Sequence, residues 1–410
     1  MPTYLSPGVY VEEVSTGARP IEAVGTSTAG FVGVAPNPEA FVNQIRWFDN
    51  WTQFVRDFAP EGSATTPLAN AVFGFFLNGG SRCCVVNVGN GPLVAPPTGQ
   101  RKGLDLLEET DQVAIVAAPG FADPASHDAL LAHCEKLKNR VAILDGPASV
   151  RSIEALNRVG TATATRSKKA AEPAPAAPDA EAYRPRQSDA GFGAFYFPWI
   201  TTRNPLNPAE LIDTPPSGHI AGIYARSDAT RGVHKAPANE IIRGAVNVTY
   251  RITREEQGTL NPNGVNCIRL FPNEGIRLYG ARTVAASSSE YRYLNVRRLL
   301  NQIEESIARN TGWVVFEPND RPLWKAIVRD VSAFLTLLWR QGALMGRTPE
   351  EAFFVKCDEE TNPQDVIDAG QVVTVIGVAP VKPAEFVIFR IGQGTGGPKV
   401  EAKDAAKPSA

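Results

Sequence analysis

With 410 residues, the chain is too long for one small domain and can bury a substantial core, so two or three packed units are the default expectation. Its 43% hydrophobic and 20% charged residues are those of a globular protein, and a formal net charge of -2 provides no global field to gather nucleic acid or an anionic membrane. Met1 through Pro7 has no basic residue and no long apolar run, so no secretory signal is expected and synthesis is placed in the cytoplasm.

In chain order, the first feature is an extended arm. After the Pro7-Gly8 turn signal, Leu5, Val9 and Val11 alternate with Tyr10 and Glu12, so Val9 to Val14 reads as a strand. Thr28 to Val34 reads as a buried strand, and so does the apolar run inside Asp111 to Pro119. A helix is expected from about Pro124, capped by Asp123, with Leu130, Leu131, Cys134 and Leu137 at helical spacing. The strand Val141 to Leu144 follows it, and this strand, helix, strand order predicts a parallel α/β unit.

Residues 161–188 turn sharply to Ala and Pro and read as a mobile surface insertion, because few of their groups can offset chain entropy. Two amphipathic helices are expected later, Val296 to Arg309 and Leu323 to Gln341. The second is capped by Asn319 or Asp320 and ended by Gly342, and its stripe of Trp324, Ile327, Val331, Phe334, Leu335 and Leu338 reads as core. Val372 to Val378 and Phe386 to Ile391 read as closing strands, the latter apolar on both faces and so in need of cover on both sides. Residues 392–410 read as a disordered polar tail. The apolar stretches Val72 to Leu77 and Val372 to Val381 fall short of the roughly 20 residues that span a bilayer.

A search for chemistry finds fragments and no site. The five cysteines, Cys83, Cys84, Cys134, Cys267 and Cys357, lack a framework of spacings and read as reduced, buried side chains. Gly25 to Ala29 resembles a subtilisin nucleophile segment, but Ser27 precedes His127, His133, His219 and His234, the reverse of the order that family uses. His127 and His133 are six apart and fall on different faces of a helix, no further ligand pattern accompanies them, and they read as exposed or cap-forming, so no metal is expected. The glycines from Gly392 to Gly397 do not lead into a helix, as a phosphate cradle would require, and no cofactor is expected. The pairs Glu12-Glu13, Glu304-Glu305 and Glu359-Glu360 read as solvated faces.

The two ends of the chain carry a different signal. PGVYVEEVSTGARPIEAVGTSTAGFVG, from Pro7 to Gly33, resembles the opening of the contractile tail sheath family, found in myophages, R-type pyocins and extracellular contractile injection systems. From Gly264 to Ile391 the blocks GVNCIRLFPNEGIRLYGART, YRYLNVRRLLNQIEESI, WVVFEPND, LWRQGAL, EEAFFVKCD, TNP and IGVAPVKPAEFVIFRI resemble the same family in order. Two departures stand out: Tyr279 where the family has tryptophan, and Asn273-Glu274 where Gly-Arg is common.

The resemblance implies a mixed α/β sheath fold with a subtilisin-like middle part that is not proteolytic. It also implies stacked hexameric rings around an inner tube protein, partnered by baseplate and terminal cap proteins and by sheath paralogues. The implied division is an arm at 1–25, an α/β region at 26–260, a C-terminal domain at 261–391 and the tail. The terminal strands of one subunit would add to neighbours' sheets through Val9, Tyr10 and Val11 and through Phe386, Val387, Ile388 and Phe389, with hinges at Pro7-Gly8, Pro20, Pro380 and Pro383. Arg292, Arg297 and Arg298 are expected to face the tube or a neighbour, or else a solvated helix face. The function implied is contraction that drives the tube through a target envelope, within an assembled particle; the rival reading is a divergent subtilisin-like hydrolase.

Overall fold

The computed structural model describes residues 20–94, 101–160 and 181–386. The expected arm strand Val9 to Val14, residues 161–180 of the Ala/Pro-rich segment, Val387 to Ile391 and the polar tail lie outside the described residues.

The chain enters through β1 (Ala29–Gly33) and β2 (Ile45–Phe48), then α1 (Trp51–Phe58), α2 (Pro67–Asn78) and β3 (Cys83–Asn87). The expected strand, helix, strand unit follows as β4 (Ile115–Ala117), α3 (Pro124–Leu137) and β5 (Val141–Asp145), with Asp123 accepting from the Ser126 N–H as the cap of α3. Then come β6 (Gly193–Phe197), β7 (Ile200–Arg203), β8 (Leu211–Thr214), α4 (Ser217–Arg231), β9 (Glu240–Ile241) and β10 (Ala245–Val248). α5 (Arg254–Leu260), β11 (Val265–Phe271) and β12 (Gly275–Tyr279) complete this part.

Among the described residues, nine of these strands form one sheet in the order β2-β3-β1-β4-β5-β6-β11-β12-β9. The strands from β3 to β11 in that order run parallel, and β2, β12 and β9 close the edges antiparallel. Parallel strands must be covered on both faces, and β1, β3, β5 and β6 are buried at every position.

Strict alternation divides the core. Phe31, Cys83, Val85, Ile143 and Tyr196 face α1, α2 and α4, while Val32, Cys84, Val86, Leu144 and Phe195 face α3 and α5. Cys83 and Cys84 therefore point to opposite faces of the sheet. All five cysteines are free and buried, as expected, and burial lifts the Cys84, Cys134 and Cys267 thiols to about 12.

Beyond the sheet lie α6 (Leu294–Asn310), α7 (Arg321–Arg340), α8 (Pro349–Ala352), β13 (Phe353–Lys356), α9 (Gln364–Asp368) and β14 (Val375–Val378). The expected stripe of α7 is buried in a third core with Leu299 and Ile303 of α6, Asp320 caps the helix through the Leu323 N–H, and Gly342 follows it at φ +79°.

Two expected boundaries move. β11 pairs with β6, Val265 opposite Phe195, so a division at residue 261 would cut the central sheet; the C-terminal module begins after β12. Residues 181–188, expected within the insertion, pack against the body: the Tyr183 N–H bonds to Ala155, Arg186 pairs with Glu135, and Ser188 is buried.

Candidate assembly interface

α6 is amphipathic, and it carries more than core. The stretch from Glu22 to Thr26 lies along it in the opposite direction. Arg298 Nη2 donates to the Thr26 carbonyl, Gln302 Nε2 to the Val24 carbonyl and Asn310 Nδ2 to the Glu22 carbonyl, while the Val24 N–H donates to Ser306 Oγ. Ile21 is buried in the third core, so the N-terminal segment is anchored where the described chain begins. Pro20 sits immediately outside that anchor.

The opposite end of α6 receives the C-terminal segment. Asn295 Nδ2 donates to the Val381 carbonyl, and the Val381 N–H donates to Ala343. Glu385 takes a bidentate bond from Arg282, Nε at 2.9 Å and Nη2 at 2.7 Å, with Tyr293 Oη at 3.4 Å. Pro380 and Pro383 therefore lie in or beside a bound segment rather than at a free hinge. One residue further, Phe386 is 73% exposed.

The C-terminal root follows directly from the β13–β14 hairpin, a two-stranded sheet pairing Phe353 with Val378 and Lys356 with Val375. Two strands alone are marginal in water, and each leaves a row of backbone groups on its outer edge. The outward face carries Phe354 and Val375, 56% and 44% exposed. Phe354 lies across Gly377, where a Cβ would meet its ring at 2.1 Å, so glycine is required for the ring to lie flat on the hairpin. After α6, Phe316 projects fully into solvent at φ +70°, a region rare for a bulky residue.

The arginines are a correction. Arg298 is buried and makes a bidentate ion pair with Asp228 of α4, Nη1 at 2.9 Å and Nη2 at 2.5 Å, beneath the Tyr224 ring. Thr26 Oγ1 donates to the same carboxylate at 2.6 Å. Arg297 is buried against Asn301, Glu304 and the Phe192 ring. Both point inward because Asp228, Glu304 and the aromatic rings satisfy them within the subunit, so neither is free to meet a tube or a neighbour. Arg292 is half-buried, bonds the Ser287 carbonyl at 2.8 Å and lies over Tyr293.

Sequence reasoning missed Asp228, Arg282 and Glu385, whose ion-pair partners lie 70 and 103 residues away. Only GART and PAEF, inside the blocks already singled out, hinted at the last two.

The histidines are also a correction. His127, His133 and His219 are buried, and burial brings each down to about 4, so they are neutral near pH 7. Ser, His and Asp do meet near α4, but in an order unsuited to a triad: Ser217 Oγ donates directly to Asp145 at 2.6 Å, and His127 Nε2 contacts the Asp145 backbone carbonyl. Burial raises Asp145 to about 7 despite its bonds from Ser217. Asp105, Glu108 and His133 converge, yet Arg140 donates toward His133 Nε2 and Lys136 occupies Glu108, a cationic setting that disfavours a metal.

Comparison with known proteins finds relatives of this fold. Residues 101–284 match the family model described as the phage tail sheath protein central domain, and residues 286–393 the phage tail sheath C-terminal domain. The tail sheath protein of Salmonella phage ViI is 34% identical over 170 residues, which are 40% of this chain and 26% of that protein. The chain spans about a quarter of the length of such curated phage relatives. Among solved structures, the helical sheath of the anti-feeding prophage in its contracted state is 30% identical, covering 96% of this chain and 100% of that one with a TM-score of 0.73. The sheath complex of an extracellular contractile injection system, PVC, also contracted, is 29% identical over 96% and 99% with a TM-score of 0.72.

Proposed function

The chain belongs to the phage tail sheath family, and on that premise we propose that it is a non-catalytic subunit that polymerises around an inner tube and contracts to drive the tube through a target envelope. Stacked hexameric rings, an inner tube protein, baseplate and terminal cap proteins and sheath paralogues are its proposed partners. Its proposed place is a phage-tail-like particle, released from the cell after cytoplasmic synthesis. The observation that carries the proposal is the pairing of an incomplete, open-edged hairpin with two chain segments anchored at opposite ends of α6.

The stretch Val9 to Val14 and the stretch Phe386 to Ile391 are the proposed added strands, with Val9, Tyr10, Val11, Phe386, Val387, Ile388 and Phe389 making the pairing. The β13–β14 sheet is the proposed acceptor. An added strand of six residues makes about five hydrogen bonds at roughly 1 kcal/mol net each. Burying Phe386, Ile388 and Phe389 contributes about 1.5–3 kcal/mol per side chain. Association costs on the order of 4–15 kcal/mol, so one strand is marginal and a lattice that exchanges two per subunit is cooperative. Contraction then slides the bodies while the paired strands hold. Arg292 remains the proposed polar contact on this side of the subunit.

Electron microscopy of the purified chain tests the proposal: striated tubes in two diameters support a contractile sheath, and discrete monomers at all concentrations contradict it.

A further inference from the structure

Both arm roots are bound to one rigid element. α6 has 17 residues and so a length of about 25 Å, with the Glu22 contact near its last turn and the Val381 contact near its first. The C-terminal root has a second lock. The Arg282 side chain is 12% exposed and that of Glu385 16%, and their two parallel bonds fix direction as well as distance. Among the described residues, the Arg282 guanidinium bonds to Glu385 alone. The body does not need that guanidinium: Asn266 joins the Arg282 backbone to β11 through its own two bonds, which any side chain at 282 would leave in place.

We infer that Arg282 and Glu385 form a positioning latch that sets where, and in which direction, the apolar strand beginning at Phe386 leaves the subunit. α6 serves as the spar that holds the N-terminal root at a fixed separation. The inference rests on the strand-donation reading above and adds its geometry: the arms bend outside residues 22–385, and contraction moves each subunit as one body with both roots attached. A six-residue strand reaches only about 20 Å, so a root free to swing would sample a large volume and seldom present the strand to its acceptor. Holding the root raises the effective concentration of the strand without adding any contact to the neighbour.

The test uses the full chain with Arg282→Glu, Glu385→Arg and the two together. Two quantities are read: the concentration at which tubes sediment, and the melting temperature of the unassembled subunit. Each single reversal is expected to raise the assembly concentration at least about tenfold with melting unchanged, and the double reversal to bring it back to within about threefold of the parent. Single variants that assemble like the parent, melt markedly lower, or are not rescued by the double reversal would overturn the latch. A chain lacking residues 387–391 separates the two ideas: if it assembles normally, strand donation itself fails; if it does not assemble while the single reversals do, only the latch fails.

Discussion

The central sheet and the C-terminal module treat their apolar residues in opposite ways. In the sheet, the strands from β3 to β11 present side chains to both faces, and helices cover both, so Phe31, Val85, Ile143 and Phe195 are completely or almost completely buried. In the module, α6 and α7 bury one stripe each, while β13 and β14, a sheet of only two strands among the described residues, keep Phe354 and Val375 in solvent. A closed sheet is a finished folding unit. On the strand-donation proposal an open two-stranded sheet is half of an interface, and the comparison then assigns stability to the body and assembly to the module.

That division can be broken at its joint. Arg298→Ala leaves Asp228 buried and unpaired where α4, α6 and the N-terminal root meet, and is expected to cost about 3–5 kcal/mol by urea unfolding. Arg298→Lys recovers only part of this, because an ammonium cannot form the bidentate pair.

Acid should strike the body next. His127, His133 and His219 have native pKa values lowered to about 4, so the unfolded chain binds more protons than the native one from about pH 6.5 downward, and stability falls as pH drops through that range. Asp145 works the other way. Its native pKa is raised to about 7, so the native state binds more protons than the unfolded one between about pH 4 and 7, and acid adds stability there. With three groups against one, the net loss between pH 7.5 and 5 is about 3 kcal/mol, read as a shift in urea midpoint. An unchanged midpoint would contradict the neutral buried histidines.

Gly222 sharpens the comparison from inside the body. A Cβ there would lie 2.5 Å from the Phe75 carbonyl and 2.7 Å from Asn78, where α4 crosses α2, so Gly222→Ala is expected to cost about 1–3 kcal/mol by overpacking. On the module, Phe354→Ser and Val375→Ser should change subunit stability by less than about 0.5 kcal/mol while reducing tube formation. If both body and module changes acted mainly on stability, the division would be false.

Much of this fold was legible because periodicity reports burial. Val141 to Leu144 and the stripe from Trp324 to Leu338 announced a two-sided strand and a one-sided helix, and the caps Asp123 and Asp320 marked helix starts. The order of strands was not legible, since β11 joins β6 across a gap that no local pattern encodes. The inward turn of Arg297 and Arg298 was hidden for the same reason: a guanidinium on a helix looks solvated until Asp228 and Glu304 are placed beside it. The histidines misled because what surrounds them comes from elsewhere in the fold: His127 meets the Asp145 carbonyl and the Phe195 ring, and His133 meets Arg140, none of which leaves a mark in spacing.

The central claim is that terminal strands, presented by a rigid subunit, build the polymer. The most direct measurement is electron microscopy of the full chain beside variants lacking residues 1–14 or 387–391, each checked for the parent's melting temperature. The account predicts striated tubes from the full chain and dispersed, folded subunits from both deletions. Tubes from either deletion would contradict it.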